Sequence, residues 1–577
     1  MVDGGSNANG LRIGCGRGVV VRAAPLLRAG DRLRTLPDPD AGVENTATSL
    51  IARWPDGVEL TLEAPRVRGR RPVIAAVRAS KRLVVDGVGV RLRAAGAERV
   101  LVDGYHSWDW AGVRDAGAPG RGWWGAVWGG TGAVTALAVS LHETPRLGAL
   151  SVSWEGADHL DAVCAGEPTQ LGDRTGPPLP LGVPLEPGVQ LRADPISLAA
   201  LDPTEAAGVG VPRLGPDDHH PRPRTAGWMS WNCLGPEVCG ADVLEAATTL
   251  VPEGGVALLD DGWMPRWGDW HERDDLDTSI ADLAAAVRES GRTLGVWVAP
   301  FLVDPSSRLA AERRDLLLLG AGGGPVVDAR PTPPQWVLDA SRRTVREHLA
   351  ALGARLGGYG VGVLKLDFLY AGALPGIRAE RCSGVVAMRD GMRALCTAFR
   401  AAAPAGSAVW ACGAPAPPLV GIVDACRSGG DAVVNVPTAA ALATPRPWFA
   451  HGEAIVRAQA RNLAARAWLW GSTVPPDVDA VTLGSVGYLA PADEGPARAW
   501  LDLAMRAGGP LLVADDPSLA SVPPDRLAAL RGAQVAIVGT PPRPARPLDP
   551  LGMAPAPMDD DAFYAWPEGL PHDADWE

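Results

Sequence analysis

The spacing of apolar residues changes once along the chain, at about residue 205. Before that point, apolar and polar residues alternate in short segments that Gly, Pro and Asp separate, and no long helical pattern intervenes. Side chains of a strand point alternately to its two faces, so alternation predicts strands with one buried face. Strands of this kind without helices predict an antiparallel β-sandwich. The clearest segments are 57–64, 71–80, 82–95 and 148–156.

From residue 226 onward, short apolar segments alternate with amphipathic helical patterns. Strands with helical crossovers predict a (β/α)8 TIM barrel. The crossover after the fifth strand is short. The predicted strands are 226–231, 255–263, 294–300, 360–368, 408–415, 421–429, 466–472 and 509–516, and the predicted helices include 237–250, 335–356, 383–402, 453–466 and 520–532.

These patterns predict several domains, because 577 residues are too many for one hydrophobic core. We expect an N-terminal β-sandwich domain at 1–205 and a linker at 206–225, which is rich in Pro, His and Asp at its end. The catalytic barrel is predicted at 226–533. Residues 534–577 are expected to form a curtailed C-terminal β segment or tail, with 533–539 as the start of a strand.

The composition of the chain limits the kinds of binding partner and the cellular location that we expect. A net charge of −12 and a pI near 5.3 argue against nucleic acid and anionic membranes. No apolar run approaches the roughly 18–20 residues that span a bilayer, and the N-terminus lacks the apolar core of a signal peptide. The eight cysteines form no CxxC pair, which predicts free thiols, no zinc site and a cytoplasmic location.

The most specific chemical signal is a lysine inside a strand that is predicted to be buried. Lys365 and Lys81 are the only lysines in a chain that otherwise uses arginine. Lys365 and Asp367 share a face of their strand, because they are two residues apart. A compact ammonium group fits beside a carboxylate and a sugar hydroxyl where a guanidinium would crowd them. The alternative interpretation is a structural ion pair.

Two carboxylates that face each other suffice to cleave a glycosidic bond. Asp367 at the end of the fourth strand and Asp431 after the sixth are the candidate catalytic pair. Lys365 is expected to favour the ionised form of Asp367. A cation close to Asp431 would oppose its role as proton donor, so we expect Arg427 to point at the sugar. The alternative for Asp431 is a turn residue after two glycines.

Asp260 and Asp261 are adjacent carboxylates at the end of the second strand. They are expected to accept hydrogen bonds from two sugar hydroxyls. A divalent metal site is an alternative, but no nearby His or acidic cluster has ligand spacing, so we predict none. An Asp-Asp-Gly turn without a ligand is the other alternative.

Several segments together resemble the α-galactosidases of glycoside hydrolase family 36, which share a clan with family 27. The segments are 227–232, 258–263, 295–307, 363–374, 411–415 and 424–431, and residues 103–110 resemble the end of that family's N-terminal sandwich. The resemblance implies a retaining hydrolase of raffinose- and melibiose-type galactosides that needs no cofactor. It implies Asp367 as nucleophile, Asp431 as acid/base, and a galactose pocket formed by Trp231, Asp260, Asp261, Trp297, Lys365, Cys412 and Arg427.

The chain departs from the family pattern around the acid/base. Ser428-Gly429-Gly430 precede Asp431 where the family usually has Ile-Gly-Pro, and Pro475-Pro476-Asp477 replace the usual Asn-Asp-Pro-Asp. The alternatives are therefore an α-galactosyl transferase, an α-N-acetylgalactosaminidase and a catalytically impaired galactoside-binding protein. Family members are often oligomers, which leaves a homo-oligomer as an open expectation.

Overall fold

The computed structural model describes most of the chain. The described residues are 10–16, 19–65, 71–93, 97–129, 136–142, 145–168, 177–201, 222–432, 436–437, 452–471, 473–485, 489–490 and 493–542. The predicted linker at 206–225 and the predicted tail at 534–577 lie mostly outside these ranges, and the domain boundaries stay predictions.

The strands before residue 202 are antiparallel, as the alternating pattern predicts. They are β1 (Leu11–Gly16), β2 (Val19–Ala29), β3 (Arg32–Arg34), β4 (Gly42–Asn45), β5 (Ser49–Arg53), β6 (Val58–Glu63), β7 (Arg71–Ala79), β8 (Leu83–Val85), β9 (Gly87–Arg93), β10 (Arg99–Asp103), β11 (Gly112–Asp115), β12 (Gly120–Gly129), β13 (Ala136–Leu141), β14 (Ala149–Trp154), β15 (Leu160–Ala165), β16 (Val183–Leu185), β17 (Gln190–Arg192) and β18 (Ile196–Leu201).

Strand β6 shows why this region folds as a sheet. Val58, Leu60 and Leu62 are buried, and the residues between them are partly exposed. β6 pairs with β7 in antiparallel register, with Val58 opposite Ala79. The main path of the sheet runs β1-β2-β9-β15-β14-β12-β13-β18-β7-β6-β5-β4. The predicted antiparallel β-sandwich is confirmed.

A parallel eight-stranded sheet follows and forms the barrel. Apart from the partly exposed Thr293 at the start of one strand, its strands are buried along their whole length, as expected for strands that helices cover on one side and other strands on the other. They are β19 (Ala226–Met229), β20 (Val256–Leu259), β21 (Thr293–Val298), β25 (Val363–Leu366), β26 (Ala408–Ala411), β27 (Ala425–Arg427), β29 (Pro476–Asp477) and β31 (Leu511–Val513).

The ring is closed by a short parallel contact. The strand order is β29-β27-β26-β25-β21-β20-β19-β31. Val481, which follows β29, forms a parallel bridge with Val513 in β31. The TIM barrel predicted from the sequence is therefore confirmed. Short strands outside the ring are β22 (Leu302–Val303), β23 (Val327–Asp328), β24 (Gln335–Val337), β28 (Val436–Pro437) and β30 (Leu489–Ala490).

The helices cover the barrel with their apolar faces. In α6, Val385, Met388, Met392, Leu395 and Phe399 recur at helical spacing and are all buried. The described helices are α1 (Trp231–Leu234), α2 (Gly240–Thr249), α3 (Ile280–Glu289), α4 (Arg308–Glu312), α5 (Arg343–Gly358), α6 (Gly384–Ala402), α7 (Gly452–Leu469), α8 (Glu494–Arg506) and α9 (Pro524–Ile537). None of these combines the length and hydrophobicity needed to cross a membrane.

Three predicted elements differ from the structure. The strand predicted at 466–472 is wrong, because α7 continues to Leu469 and the seventh barrel strand is Pro476–Asp477. The strand predicted at 533–539 is wrong, because α9 continues to Ile537. The helix predicted at 335–356 begins only at Arg343, after strand β24. In each case a run of apolar residues is compatible with both a helix and a strand, and tertiary packing decides between them.

Candidate active site

The predicted site residues meet at one end of the barrel. Asp260 follows β20, Asp367 follows β25, and Cys412 follows β26. Lys365 lies within β25, and Arg427 is the last residue of β27. In this fold the carboxyl ends of the strands surround the active site. Barrel closure therefore brings together side chains that are far apart in the sequence.

Lys365 forms a buried ion pair with Asp260. Its Nζ donates to Asp260 Oδ2 over 2.7 Å, and both side chains are less than a tenth exposed. Burial acts to lower the pKa of Lys365, but Asp260 raises it, and the net pKa lies above the ordinary value. Lys365 also acts electrostatically on Asp367, as predicted, but its hydrogen bond goes to Asp260 instead.

Asp367 is held by donors on two sides. Trp297 Nε1 donates to Asp367 Oδ2 over 3.1 Å, and the backbone N–H of Phe368 donates to Oδ1 over 2.8 Å. Phe368 has a left-handed φ of 51°, an uncommon conformation for a residue with a side chain. The chain therefore turns sharply after Asp367, and the carboxylate is oriented by protein donors.

The environment of Asp367 acts on its ionisation in both directions. Asp367 is only 7% exposed, and this burial raises the pKa of its carboxyl group. Lys365 lowers that pKa, Asp431 raises it, and hydrogen bonds from Cys412 and Trp297 lower it. The charge of Asp431 therefore acts on the pKa of Asp367 in the direction opposite to that of Lys365.

Asp261 is the second carboxyl group of the adjacent pair. Its Oδ1 accepts a hydrogen bond from Trp267 Nε1 over 3.0 Å. Burial raises the pKa of Asp261 to about 7, and the charges of Asp260 and Asp367 act in the same direction. The backbone N–H of Asp261 donates to Asp260 Oδ1 over 2.9 Å. The two carboxyl groups are thus held side by side by different partners.

The guanidinium of Arg427, which the sequence predicts to point at the sugar, contacts three carboxylates. Its Nη1 donates to Asp431 Oδ1 over 3.0 Å, its Nη2 contacts Asp479 Oδ1 at 2.8 Å, and its Nε lies 3.4 Å from Asp477 Oδ2. The expectation that Arg427 points at the sugar instead of binding Asp431 is therefore wrong. Because three carboxylates share one cation, its charge is not available to Asp431 alone.

Asp477 and Asp479 are site residues that the sequence analysis missed. The predicted seventh strand ended before them, so they were assigned no role. Burial raises the pKa of Asp479 to about 7, against the opposing effect of Arg427. Asp479 also has a φ of 89°, and its Oδ2 accepts a hydrogen bond from the backbone N–H of Ala432. The Asp-Val-Asp spacing that begins at the last residue of β29 was the available signal.

Tryptophans line the same end of the barrel. Trp267 and Trp270 lie 5.2 and 6.1 Å from Trp297, measured between ring centroids. Trp231 is half-buried and packs on the apolar interior of the barrel. Aromatic faces bind the apolar faces of sugars and their N–H groups bind hydroxyls, which is the combination that a sugar pocket requires. The structure thus places both predicted tryptophans, Trp231 and Trp297, at the site.

A segment of the N-terminal sheet region reaches into this site. Trp108 Nε1 donates to the Cys412 thiol over 3.3 Å, and its ring meets Phe368 edge to face at 5.1 Å. The backbone N–H of Ser107 donates to the carbonyl oxygen of Ala414 over 2.7 Å. In the sequence, residues 103–110 are distinguished only by their resemblance to the family, and no local pattern shows that Trp108 contacts a residue 304 positions away.

Helix α7 joins this segment to the candidate acid/base loop. The guanidinium of Arg466 is fully buried and donates to Asp103 Oδ1 over 2.9 Å. It also donates to the carbonyl oxygens of Ser107 and Ser428. One side chain of the helix therefore ties together two regions that both contact the site.

The segment between β23 and β24 also lines the site. Arg330 lies over the ring of Tyr370 at 4.8 Å and over that of Trp108 at 5.8 Å. Tyr370 donates to Asp328 Oδ2 over 2.6 Å. Within the described part of the chain, no group of three or more His, Cys, Asp or Glu side chains has the arrangement of a metal site.

Comparisons with known proteins show which sequences and structures this chain is similar to. No family model matches the chain. A curated relative, the bifunctional α-galactosidase/sucrose kinase AgaSK of Mediterraneibacter gnavus, is 28% identical over 127 residues. That match covers 20% of this chain and 13% of the relative, so the chain matches only a small part of that protein's length.

Solved structures match over most of the chain. The α-galactosidase TtGalA of Thermus thermophilus in complex with stachyose has a TM-score of 0.59 and 24% identity, covering 85% of this chain and 99% of that one. Its complex with p-nitrophenyl α-D-galactopyranoside has a TM-score of 0.59 and 25% identity, over 82% and 92% of the two chains.

A more distant neighbour has the same architecture. The family 36 α-galactosidase AgaA of Geobacillus stearothermophilus has a TM-score of 0.59 at 13% identity, over 90% of this chain and 73% of that one. Identity this low supports the fold alone. Together with TtGalA, it confirms the resemblance found in the sequence: this chain has the fold of the glycoside hydrolase family 36 α-galactosidases.

Proposed function

We propose that this chain is a retaining α-galactosidase that cleaves terminal α-D-galactosyl residues from raffinose- and melibiose-type oligosaccharides. The observation that carries the proposal is the pairing of two carboxyl groups of opposite character at the barrel mouth. Asp367 is buried and held by donors, whereas the Asp431 side chain is 52% exposed. A double displacement needs one fixed nucleophile and one proton donor that the leaving group can reach.

In the proposed first step, Asp367 attacks the anomeric carbon of the galactosyl residue. Asp431 donates its proton to the glycosidic oxygen, and the leaving sugar departs as an alcohol. Trp297 and the backbone of Phe368 orient the carboxylate, which lowers the entropy cost of the attack. The product is a galactosyl ester of Asp367.

In the proposed second step, water hydrolyses this ester. Asp431, now ionised, takes a proton from the water, which attacks the anomeric carbon and releases Asp367. Two inversions give net retention of configuration. The route uses two carboxyl groups and water, so no cofactor is needed.

The remaining predicted residues are proposed to bind the galactose ring. Asp260, Asp261 and Lys365 present acceptors and donors for hydroxyl groups, and Cys412 lies beside Asp367. The structural neighbours support the substrate class, because TtGalA was crystallised with stachyose and with a nitrophenyl α-galactoside. A cytoplasmic location stays a prediction. None of the eight cysteines forms a disulfide, which fits it.

The test is an assay of the purified protein with an aryl α-galactoside, the matching α-glucoside and the matching α-N-acetylgalactosaminide. Release from the α-galactoside alone, with the α-anomer as first product by NMR, is the expected result. Inversion would contradict the mechanism. Hydrolysis of the α-N-acetylgalactosaminide would indicate an α-N-acetylgalactosaminidase instead. Turnover that appears only with an added sugar acceptor would indicate the transferase, and saturable binding without turnover would indicate a binding protein.

A further inference from the structure

The loop that carries Asp431 contains two successive glycines. Ser428, Gly429 and Gly430 connect it to Arg427 at the end of β27. Glycine has the largest backbone freedom of any residue, so this connection costs more entropy to order than another sequence would. A proton donor must nevertheless stay within hydrogen-bond reach of the glycosidic oxygen. The structure must therefore supply restraints from outside the loop.

Both ends of the loop are anchored by the residues around β29. At the first end, the backbone N–H and the hydroxyl of Ser428 both donate to the carbonyl oxygen of Asp477, at 2.6 and 2.8 Å. At the other end, the N–H of Ala432 donates to Asp479 Oδ2 over 2.9 Å. These contacts leave the two glycines in the middle of the loop to be restrained by something else.

Gln459 of helix α7 contacts both glycines. It is completely buried, and its Nε2 donates to the carbonyl oxygen of Gly430 over 2.9 Å. Its Oε1 has no hydrogen-bond partner among the residues that the structure describes. A buried side-chain amide with one group unsatisfied is costly and needs an explanation. The hydrogen bond of its Nε2 to Gly430, the residue directly before Asp431, is a polar contact that holds this amide against the loop.

Because Gly429 has no side chain, it leaves space for the side-chain amide of Gln459. A Cβ atom placed on Gly429 would lie 1.7 Å from Gln459 Oε1 and 2.3 Å from its Cδ. Any side chain at this position would displace the amide from Gly430. The glycine is therefore required for the close approach of the loop to the helix. Gln459 and Gly429 form a complementary pair, and we expect changes in the two to be coupled.

We propose that Gln459 is a positioning residue for Asp431, acting through its hydrogen bond to the Gly430 carbonyl. This inference rests on the proposed function, since it concerns the acid/base of that reaction. Gln459 does not touch the substrate. It holds the backbone from which the proton donor extends, and so it affects the step in which the leaving group needs a proton.

The main test replaces Gln459 by methionine, which has similar volume and shape but cannot donate to Gly430. Purified Gln459→Met and wild-type protein are assayed with raffinose and with a nitrophenyl α-galactoside, whose leaving group needs little protonation. We expect kcat/KM to fall about tenfold or more on raffinose and less than about threefold on the aryl substrate. A role in packing alone would leave this ratio unchanged.

The matched control is Gln534→Met in helix α9. Gln534 is also a buried glutamine, and its Nε2 donates to the carbonyl oxygen of Leu250 over 3.0 Å, outside the loop that carries Asp431. Both variants lose one buried hydrogen bond of the same kind, so we expect similar decreases in Tm. Only the Gln459 variant is expected to change the ratio of the two activities.

A second pair of variants tests the contact itself, and also serves if Gln459→Met does not fold. Gly429→Ala is expected to reduce raffinose hydrolysis, because its methyl group displaces the amide. In the double variant with Gln459→Ala, the methyl group occupies the vacated space. The double variant is therefore expected to be no slower than Gln459→Ala alone. Losses that multiply would show that the two residues act independently and would overturn the proposal.

The outcomes separate this proposal from the function on which it rests. Wild-type protein that hydrolyses neither galactoside would overturn the proposed function and this role with it. Active wild-type protein whose Gln459→Met variant loses both activities equally, or neither, would overturn the positioning role alone.

Discussion

The two candidate catalytic carboxyl groups are held in opposite ways. Asp367 follows a buried strand and receives hydrogen bonds from Trp297 and from its own neighbour Phe368. Asp431 lies on a loop with two glycines, is more than half exposed, and is tied to Arg427. The position of the Asp367 carboxyl group is therefore fixed by the barrel itself. The position of the Asp431 carboxyl group is fixed by contacts from separate elements.

This difference fits the different tasks of the two groups. A nucleophile forms a covalent bond at one point and benefits from rigid placement. The acid/base must release a departing sugar and then admit water, which requires access to solvent. Four predictions test this difference. They ask whether the buried carboxyl groups are held rigidly at an energetic cost, and whether the exposed Asp431 transfers protons.

The largest expected effect is on the buried side, in Asp367→Ala. Loss of the covalent nucleophile is expected to reduce kcat by about 10⁴-fold or more on both raffinose and aryl galactosides. A mechanism-based galactosyl label should attach to Asp367 in the wild-type protein and be located by peptide mass spectrometry. A folded variant that keeps most of its activity would contradict the assignment.

On the exposed side, Asp431→Asn is expected to have a selective effect. Raffinose hydrolysis should fall by about 10²- to 10³-fold, whereas cleavage of a nitrophenyl galactoside should fall less in its first step, because nitrophenolate leaves without protonation. Burst kinetics separate the two steps. Equal slowing of bond cleavage for both substrates would show that Asp431 is not the acid.

Lys365→Arg tests the rigidity of the buried side. The charge is kept, but a planar guanidinium does not fit the compact contact with Asp260, so kcat/KM is expected to fall about tenfold or more. Tm should fall as well, because a misplaced buried ion pair is destabilising. Lys81→Arg is the matched control, since Lys81 is exposed and is the only other lysine. Equal behaviour of the two variants would exclude a specific role for the ammonium group.

The smallest expected effect concerns the strain that burial places on Asp261. Its pKa is about 7 in the folded protein, above the ordinary value of 3.8. The folded state therefore keeps a proton that the unfolded state has lost between these pH values. The contribution of Asp261 to stability is fully present below about pH 4 and decreases as pH rises through about 7.

Asp261→Asn removes this loss, because the amide does not ionise and still accepts from Trp267. We expect its Tm to exceed that of the wild type by about 2 to 5 °C at pH 8, with roughly half that difference or less at pH 5. Thermal unfolding measured at both pH values checks this. A difference that is the same at pH 5 and pH 8 would show that Asp261 does not titrate between them.

Local pattern was sufficient for one side of this comparison. The apolar segments around Asp260 and Asp367 are short, continuous and bounded by polar residues, and a buried parallel strand has this appearance whatever it packs against. Because active sites in this fold lie at the strand ends, the positions of Asp260, Lys365, Asp367 and Cys412 followed from strand assignment alone.

Local pattern was insufficient for the other side. Residues 466–472 are as apolar as a strand, but α7 continues to Leu469, and the two-residue strand Pro476–Asp477 is too short to show a periodic pattern. Because of this error Asp477 and Asp479 were assigned no role, although both are partners of Arg427. A cation four residues from Asp431 has many accessible directions, and only the folded barrel shows which carboxylates surround it.

The chain's own pattern of apolar and polar residues therefore specified an antiparallel sheet region, a parallel barrel and the strand that carries Asp367, because hydrophobic burial acts through local spacing. Contacts between distant segments decided the rest: Trp108 on Cys412, Arg466 on the acid/base loop, and Gln459 on Gly430. These contacts depend on shape and hydrogen-bond direction across elements that meet only after folding. Neither property produces a periodic pattern of apolar and polar residues in the sequence.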